Sequence, residues 1–388
     1  MPTSRKRKTS DFPLFLHQTG QWAKKVRGKL WYFGTDRDAA LEKWLKDKDH
    51  LLAGRSRPLH PDGVTLRDLV NKFLTAKKAL LDSGELSPRT WGDYYTTCGG
   101  MLDVLGKTMP VADLTPDDFA KYRARLARRL GPVALGNEIQ RVRTVLKFAW
   151  DEQLVVAPVR LGSTFKKPSK KTVRRARHEA GSRLFEADDL RKLIDAAGVP
   201  LKAMILLGIN CGFGQSDVAN LPSSALDLDR GWLNFPRVKT AIGRRVPLWP
   251  ETVAAIRDAL DKRPEPADYE ACGLVFVTKY GRKWVRLKAQ KDADGKDKAG
   301  VVTDSVRLEF GKLLAAAGLK RKGLGFYALR HSFRTVADRS KDQPAVDHVM
   351  GHVNDSMAAV YRDRIDDDRL EAVVNVVRSW LWPDAETK

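Results

Sequence analysis

One segment constrains this chain more than any other: residues 165–183, FKKPSKKTVRRARHEAGSR, are densely basic and offer almost nothing apolar to bury. Such a block is expected to be extended and solvated, so no core can run through it. The chain on either side must therefore bury a core of its own. At 388 residues there is length for two or three domains. With 43% hydrophobic and 30% charged residues, the composition is that of a folded rather than a disordered chain. No run approaches the roughly 18 apolar residues that a membrane helix needs. Met1 to Ser10 is basic but lacks the apolar centre of a secretory signal, so the expected location is the cytoplasm, on the nucleoid. Cys98, Cys211 and Cys272 lie far apart, which fits a reducing compartment and neither a disulfide framework nor a zinc site.

Patterning divides the rest. Phe12 to Leu16, Gln21 to Val26 and Leu30 to Phe33 are short runs of strand formers broken by Gly20 and Gly28. Thr35 or Asp36 can then cap a helix carrying Ala39, Ala40, Leu41, Trp44 and Leu45. From Val64 to Val156 the pattern is helical: Leu66, Leu69, Val70 and Phe73 recur at helical spacing, and helices start at Pro88 and Pro116. A last helix carries Ile139, Val142, Val145, Leu146 and Ala149. Beyond Leu184 the types mix, with helices over 188–194 and 203–209. A hairpin is expected from Trp232 to Leu248, with Lys239 to Gly243 near its tip. The stretch Lys288 to Gly300, KAQKDADGKDKAG, predicts a mobile polar loop. The expected class is mainly α with small β elements (α+β). It comprises a sheet-plus-helix domain over 1–56, a helical domain over 64–156, a basic linker over 157–183 and a mixed α/β domain over 184–383.

Charge supplies the first functional hint. Seventy Lys and Arg against forty-eight Asp and Glu leave a net +22, which draws polyanions, nucleic acid above all. Lys24, Lys25 and Arg27 on the first sheet, Arg141, Arg143 and Lys147 on the last helix of the bundle, and Lys170, Lys171, Arg174 and Arg175 in the basic joint are the candidate DNA contacts. A merely solvated basic face is the competing reading of each. Double-stranded DNA is the expected partner, with no membrane.

The sharpest segment is FYALRHSFRT, Phe326 to Thr335, followed by MGHVNDSMAAVYRDR, Met350 to Arg364. It puts Arg330, His331, His352 and Tyr361 into one short part of a basic protein. Breaking a phosphodiester needs a nucleophile, a proton for the leaving oxygen and cations around the nonbridging oxygens. A tyrosine oxygen can attack and hold the phosphate covalently. A guanidinium spans two phosphate oxygens, and an imidazole donates or shuttles a proton near neutral pH. Singly, each residue has an ordinary explanation: a tyrosine in the core, a histidine packed behind an arginine. His348 and His352 sit four apart without the glutamate a zinc protease requires, and no metal is expected.

ALRHSF, then GH, then a tyrosine nine positions after that histidine, resemble the catalytic boxes of the tyrosine recombinase (phage integrase) family. VKTAIGRRVPL resembles the family's hairpin, with Lys239 at the place of the catalytic lysine. The resemblance implies a site-specific recombinase with an arm-binding sheet domain, a helical core-binding domain and a mixed catalytic domain. Tyr361 would attack the scissile phosphate and Arg330 would neutralise the transition state. His352 would hydrogen-bond a nonbridging oxygen, and Lys239 would protonate the leaving oxygen. No cofactor is implied, because a 3′-phosphotyrosine stores the bond energy. A tetramer on DNA is implied, its C-terminal helices exchanged between protomers. The stripe Leu370, Val373, Val374, Val377, Trp380 and Leu381 fits either such a helix or one packed on its own domain.

Two positions depart from the pattern. Gly214, in NCGFGQSDVANL, stands where the first box has its arginine, and Tyr327 stands where a histidine precedes Arg330. Arg244, Arg245 and Lys202 are unranked candidates to replace the missing cation. The alternatives are a DNA-binding relative with weakened catalysis, for which Gly214 speaks, and a type IB topoisomerase, which shares the nucleophile.

Overall fold

The structure is a computed structural model that describes residues 12–52, 63–291, 295, 297–352 and 364–383. It divides into two compact units, Met1–Val173 and Arg174–Lys388.

In the first unit, strands β1 (Phe15–Leu16), β2 (Trp22–Val26) and β3 (Lys29–Gly34) form an antiparallel sheet in sequence order. Arg27 and Gly28 turn the β2–β3 hairpin, both at positive φ (49° and 86°), as a two-residue turn matched to strand twist demands. Helix α1 (Arg37–Leu52) starts where Asp36 accepts the Ala39 amide at 2.8 Å. Leu14, Val26, Phe33, Ala40, Trp44 and Leu51 make a small core between sheet and helix.

Four helices follow: α2 (Leu66–Asp82), α3 (Pro88–Leu105), α4 (Pro116–Arg129) and α5 (Pro132–Asp151). Thr65 with Asp68, and Thr115 with Asp118, close reciprocal capping boxes on α2 and α4, while Ser87 caps α3. Their shared core holds Phe73, Phe119, Ile139, Val142 and Val145. Phe165, the first residue of the basic joint, is buried there against Phe119 and Tyr122. The joint is not extended throughout, as its charge predicts. Lys170–Glu179 form a helix, α6, with no buried residue. Helix geometry needs only local hydrogen bonds, and Ser169 supplies the first acceptor to the Thr172 amide.

The second unit is built around α8 (Val199–Asn210), which is buried nearly all round. Helix α7 (Ala187–Ala196) precedes it and the short α9 (Gln215–Ala219) follows. A sheet of β4 (Leu226–Asp227), β5 (Trp232–Asn234) and β6 (Arg245–Pro247) comes next, then α10 (Pro250–Asp261) and α11 (Tyr269–Cys272). Residues 288–300, expected as a mobile loop, belong instead largely to a hairpin of β7 (Val285–Lys291) and β8 (Asp297–Asp304). Leu287 pairs with Val302 and Lys288 with Val301, so the β-branched residues that set the register lie at the edge of the polar stretch. Helices α12 (Ser305–Ala316), α13 (Tyr327–Ala337), α14 (Gln343–Met350) and α15 (Asp367–Leu381) complete the unit.

Two contacts with α8 position the site. Gly208 lets α13 approach so closely that a Cβ there would lie 2.6 Å from Leu329 Cδ1. Buried Asn210 donates to Pro247 O at 3.0 Å and accepts the Trp249 amide at 2.9 Å, which fixes the hairpin's return strand. The C-terminal stripe packs in cis. Leu370, Val373, Val374, Val377 and Leu381 of α15 are buried in the unit's own core. Val374 O accepts Trp249 Nε1 at 3.1 Å, and Arg378 grips Glu251 with two bonds of 3.1 and 2.7 Å. The helix thus packs on its own domain in this single chain, one of the two arrangements that the stripe fits. Among the described residues no helix is long and apolar enough to cross a membrane.

Candidate active site

The site is assembled on two consecutive carbonyl groups at the end of α14. Arg330 projects from α13, 3% exposed, and donates from Nη1 to Gly212 O and from Nη2 to Met350 O at 2.6 and 2.8 Å. The next carbonyl, Gly351 O, accepts Arg237 Nη1 at 3.3 Å and Thr240 Oγ1 at 3.2 Å. Arg237 and Thr240 flank Lys239 on the β5–β6 hairpin, so the exposed Lys239 is carried on a tip tied to the turn beside Arg330. Gly351 has φ 62°, and a Cβ there would fall 2.9 Å from both Arg237 Cβ and Arg244 Cδ. Only glycine serves both needs.

His352 follows directly. It is half-buried, with Nδ1 3.1 Å from Asp347 Oδ1, an oxygen that also accepts Arg334 Nη1 at 2.9 Å. A carboxylate only accepts, so Nδ1 carries the hydrogen and Nε2 is left to exchange a proton or donate. Tyr361, the expected nucleophile, lies outside the described residues.

The two departures from the family pattern meet in space. The Tyr327 ring, 45% exposed, covers Gly214 so that a Cβ there would begin 3.3 Å from it. Tyr327 also meets His331 edge-on, with centroids 5.4 Å apart. Gly214 donates its amide to Asp217 Oδ2 at 2.9 Å, opening α9.

The three candidates for the missing cation separate clearly. Arg244 is buried at the site, its Nη2 3.0 Å from Asp217 Oδ1, its Nε 2.9 Å from Phe235 O and its guanidinium 4.1 Å from the Phe213 ring centre. Losing one partner of such a buried pair costs roughly 3–5 kcal/mol, so Arg244 holds the hairpin base to the first-box loop. Arg245 is taken up by two 2.7 Å bonds to Asp367 and by the Trp232 face. Lys202 lines a different cavity with Glu251, Asp258 and Trp382. Sequence reasoning missed Arg237, although its place two residues before Lys239 in the hairpin was visible.

Burial dominates the electrostatics of the site. Burial, then the charge of Arg237, lowers the Arg330 pKa to about 10. Burial also lowers His331, His348 and His352 from 6.5, with Asp347 partly opposing the shift at His352. The folded chain thus binds fewer protons than the unfolded chain just below this value, and stability must fall as pH falls through the unfolded histidine range. A melting temperature that drops between about pH 7 and pH 5 is expected. His348 should contribute, because its Nε2 accepts the Arg245 amide at 3.3 Å and protonation removes that acceptor. His348→Gln keeps an acceptor and should flatten the slope; a flat or rising wild-type profile would refute this account.

The candidate DNA contacts differ in availability. Lys25, Arg27, Arg143 and Lys147 are exposed, as are Lys170, Lys171, Arg174 and Arg175 on α6. Lys24 donates to Pro13 O at 2.7 Å and lies over Trp44. Lys147 pairs with Asp151 at 2.6 Å. Arg141 is a strut inside the bundle, bonded to Asp93 at 2.6 Å and Glu138 at 3.1 Å.

The Phage integrase family model matches residues 174–367, half of the sequence, and the chain belongs to that family. The structure is similar to a lambda integrase dimer bound to a COC′ core site, at 16% identity and TM-score 0.55, covering 94% of this chain and 100% of that one. It is also similar to a lambda integrase tetramer bound to a Holliday junction, at 18% identity and TM-score 0.54, covering 93% and 99%. The Tn1549 transposon integrase in complex with a circular intermediate DNA matches at 15% identity and TM-score 0.54, covering 81% and 99%. At these identities the likeness is one of fold. No curated protein matches the sequence.

Proposed function

We propose that the chain is a site-specific recombinase that cuts and rejoins duplex DNA through a covalent 3′-phosphotyrosine at Tyr361. The observation that carries this reading is the pair of carbonyls, Met350 O and Gly351 O, that gathers Arg330, the hairpin of Lys239 and the turn leading into His352. Among the described residues no carboxylate is bonded to Arg330 or Arg237. In the proposed step, the Tyr361 oxygen forms a bond to phosphorus and the bond to the 5′ oxygen breaks. Lys239 gives a proton to that 5′ oxygen, the phenol proton passes to His352 Nε2 or to water, and Arg330 neutralises the nonbridging oxygens. Attack by a partner strand's 5′ hydroxyl reverses the bonds and releases the tyrosine.

The small sheet domain is read as an arm-type DNA binder, the four-helix domain as a core-binding clamp and α6 as part of a linker that follows phosphates. Exchange between two duplexes needs four cuts, hence a tetramer on DNA. Helix α15 would have to leave its own core to swap between protomers, so any exchange belongs to that DNA-bound assembly. A binding-only role is the second reading, and Gly214 beneath the Tyr327 ring is what favours it.

A duplex carrying the recombination site, nicked beside the scissile phosphate so that the cut end is lost, should trap a protein–DNA adduct. Its peptide should contain Tyr361. Binding without adduct favours the second reading, and relaxation of supercoiled DNA lacking any special site favours a topoisomerase.

A further inference from the structure

We propose that Arg237 supplies the second phosphate-binding cation that Gly214 cannot, so that the site draws from its hairpin the charge that the family draws from its first box. This assignment rests on the strand-transfer reading above. Three observations carry it.

First, the first-box position carries no side chain. Gly214 lies under the Tyr327 ring, which a Cβ there would approach to 3.3 Å. Second, the other nearby cations are out of reach or held. Arg244 is sealed against Phe213, Phe235 and Asp217, so that even its unbonded Nη1 is buried, and Arg245 is held by Asp367. Third, Arg237 has both position and spare donors. It is half-buried, and Gly351 O, its acceptor, adjoins the Met350 O that receives Arg330. The two guanidiniums are thus seated on successive carbonyls of one turn. Each guanidinium has five N–H donors, and among the described residues Arg237 uses one, in a bond of 3.3 Å. That bond is long enough to give way to a phosphate.

Electrostatics support the geometry. Arg237 is the largest charge influence on Arg330, and it also disfavours protonation of His352. Among the described residues no carboxylate forms an ion pair with Arg237. Like charges gathered around the single carboxylate of Asp217 gain from binding an anion between them.

The test uses the full chain and two nicked duplexes, one with an ordinary scissile phosphate and one with a neutral methylphosphonate there. Arg237→Met keeps the aliphatic stem that packs near Gly351 and removes the charge. Cleavage of the phosphate substrate should slow on the order of 10²-fold or more, the scale for removing one preorganised donor. Duplex affinity and melting temperature should stay near wild type. On the methylphosphonate the deficit relative to wild type should shrink at least tenfold, since little charge remains to neutralise. Arg237→Lys should recover part of the rate.

Wild-type cleavage by Arg237→Met overturns the assignment. So does an equal loss on both substrates, which would mean that Arg237 only holds the Gly351 turn. In both cases an active wild type leaves the strand-transfer reading standing. A wild-type chain that forms no adduct on either substrate sinks that reading and this assignment with it.

Discussion

Tyr361→Phe is expected to bind its DNA site as tightly as wild type and to form no covalent adduct. The change removes one oxygen and keeps the ring, so packing and phosphate contacts are preserved while the nucleophile is lost. Catalytic cations cannot compensate, because they lower the barrier to attack without supplying the attacking atom. The one foreseeable substitute is Tyr327, which is 45% exposed and lies at the first-box loop. Its ring stands edge-on to His331. The trapping assay separates the possibilities. Adduct persisting in Tyr361→Phe removes Tyr361 from the mechanism, and a phosphotyrosine peptide containing residue 327 would move the nucleophile there.

Legibility from sequence followed the range of the forces involved. Pro88 and Pro116 opening helices, Thr65 capping α2 and Asp36 capping α1 are local rules, and the helices start where those residues place them. Arg330 and His352 were legible because the motif around each is contiguous. The pairing of Gly214 with Tyr327 was not, because 113 positions separate two residues that only the approach of α13 to α8 brings together. The place of Arg237 beside Lys239 was visible, but its role was not, for the same reason: its acceptor is 114 residues away, and its meaning depends on Arg330 using the neighbouring carbonyl. The basic joint misled differently. Beyond the buried Phe165 its charged residues stay exposed, yet exposure does not prevent a helix, and α6 forms with every charge in solvent. The β7–β8 hairpin was misread because its register-setting valines lie just beyond the polar stretch that drew attention.

Arg330→Ala is expected to cut DNA on the order of 10³-fold or more slowly, by analogy with the loss of an arginine that stabilises phosphoryl transfer. Most of the duplex affinity should remain. Arg330 is one cation in a chain of net charge +22, and at 3% exposure it contributes little to the surface field that gathers DNA. The stability effect has two opposing parts. Gly212 O and Met350 O each lose a buried donor, a cost of about 1–3 kcal/mol apiece. Removing the guanidinium also relieves its repulsion with Arg237 and Arg244, the charges that, with burial, hold its pKa down. Melting temperature should therefore fall by less than two lost buried bonds would suggest. Arg330→Lys restores the charge but cannot span both carbonyls, so it should recover affinity and stability better than rate. If binding and cleavage instead decline in parallel in Arg330→Ala, the residue is an ordinary phosphate contact. The two-carbonyl cradle would then have no special part in the chemistry.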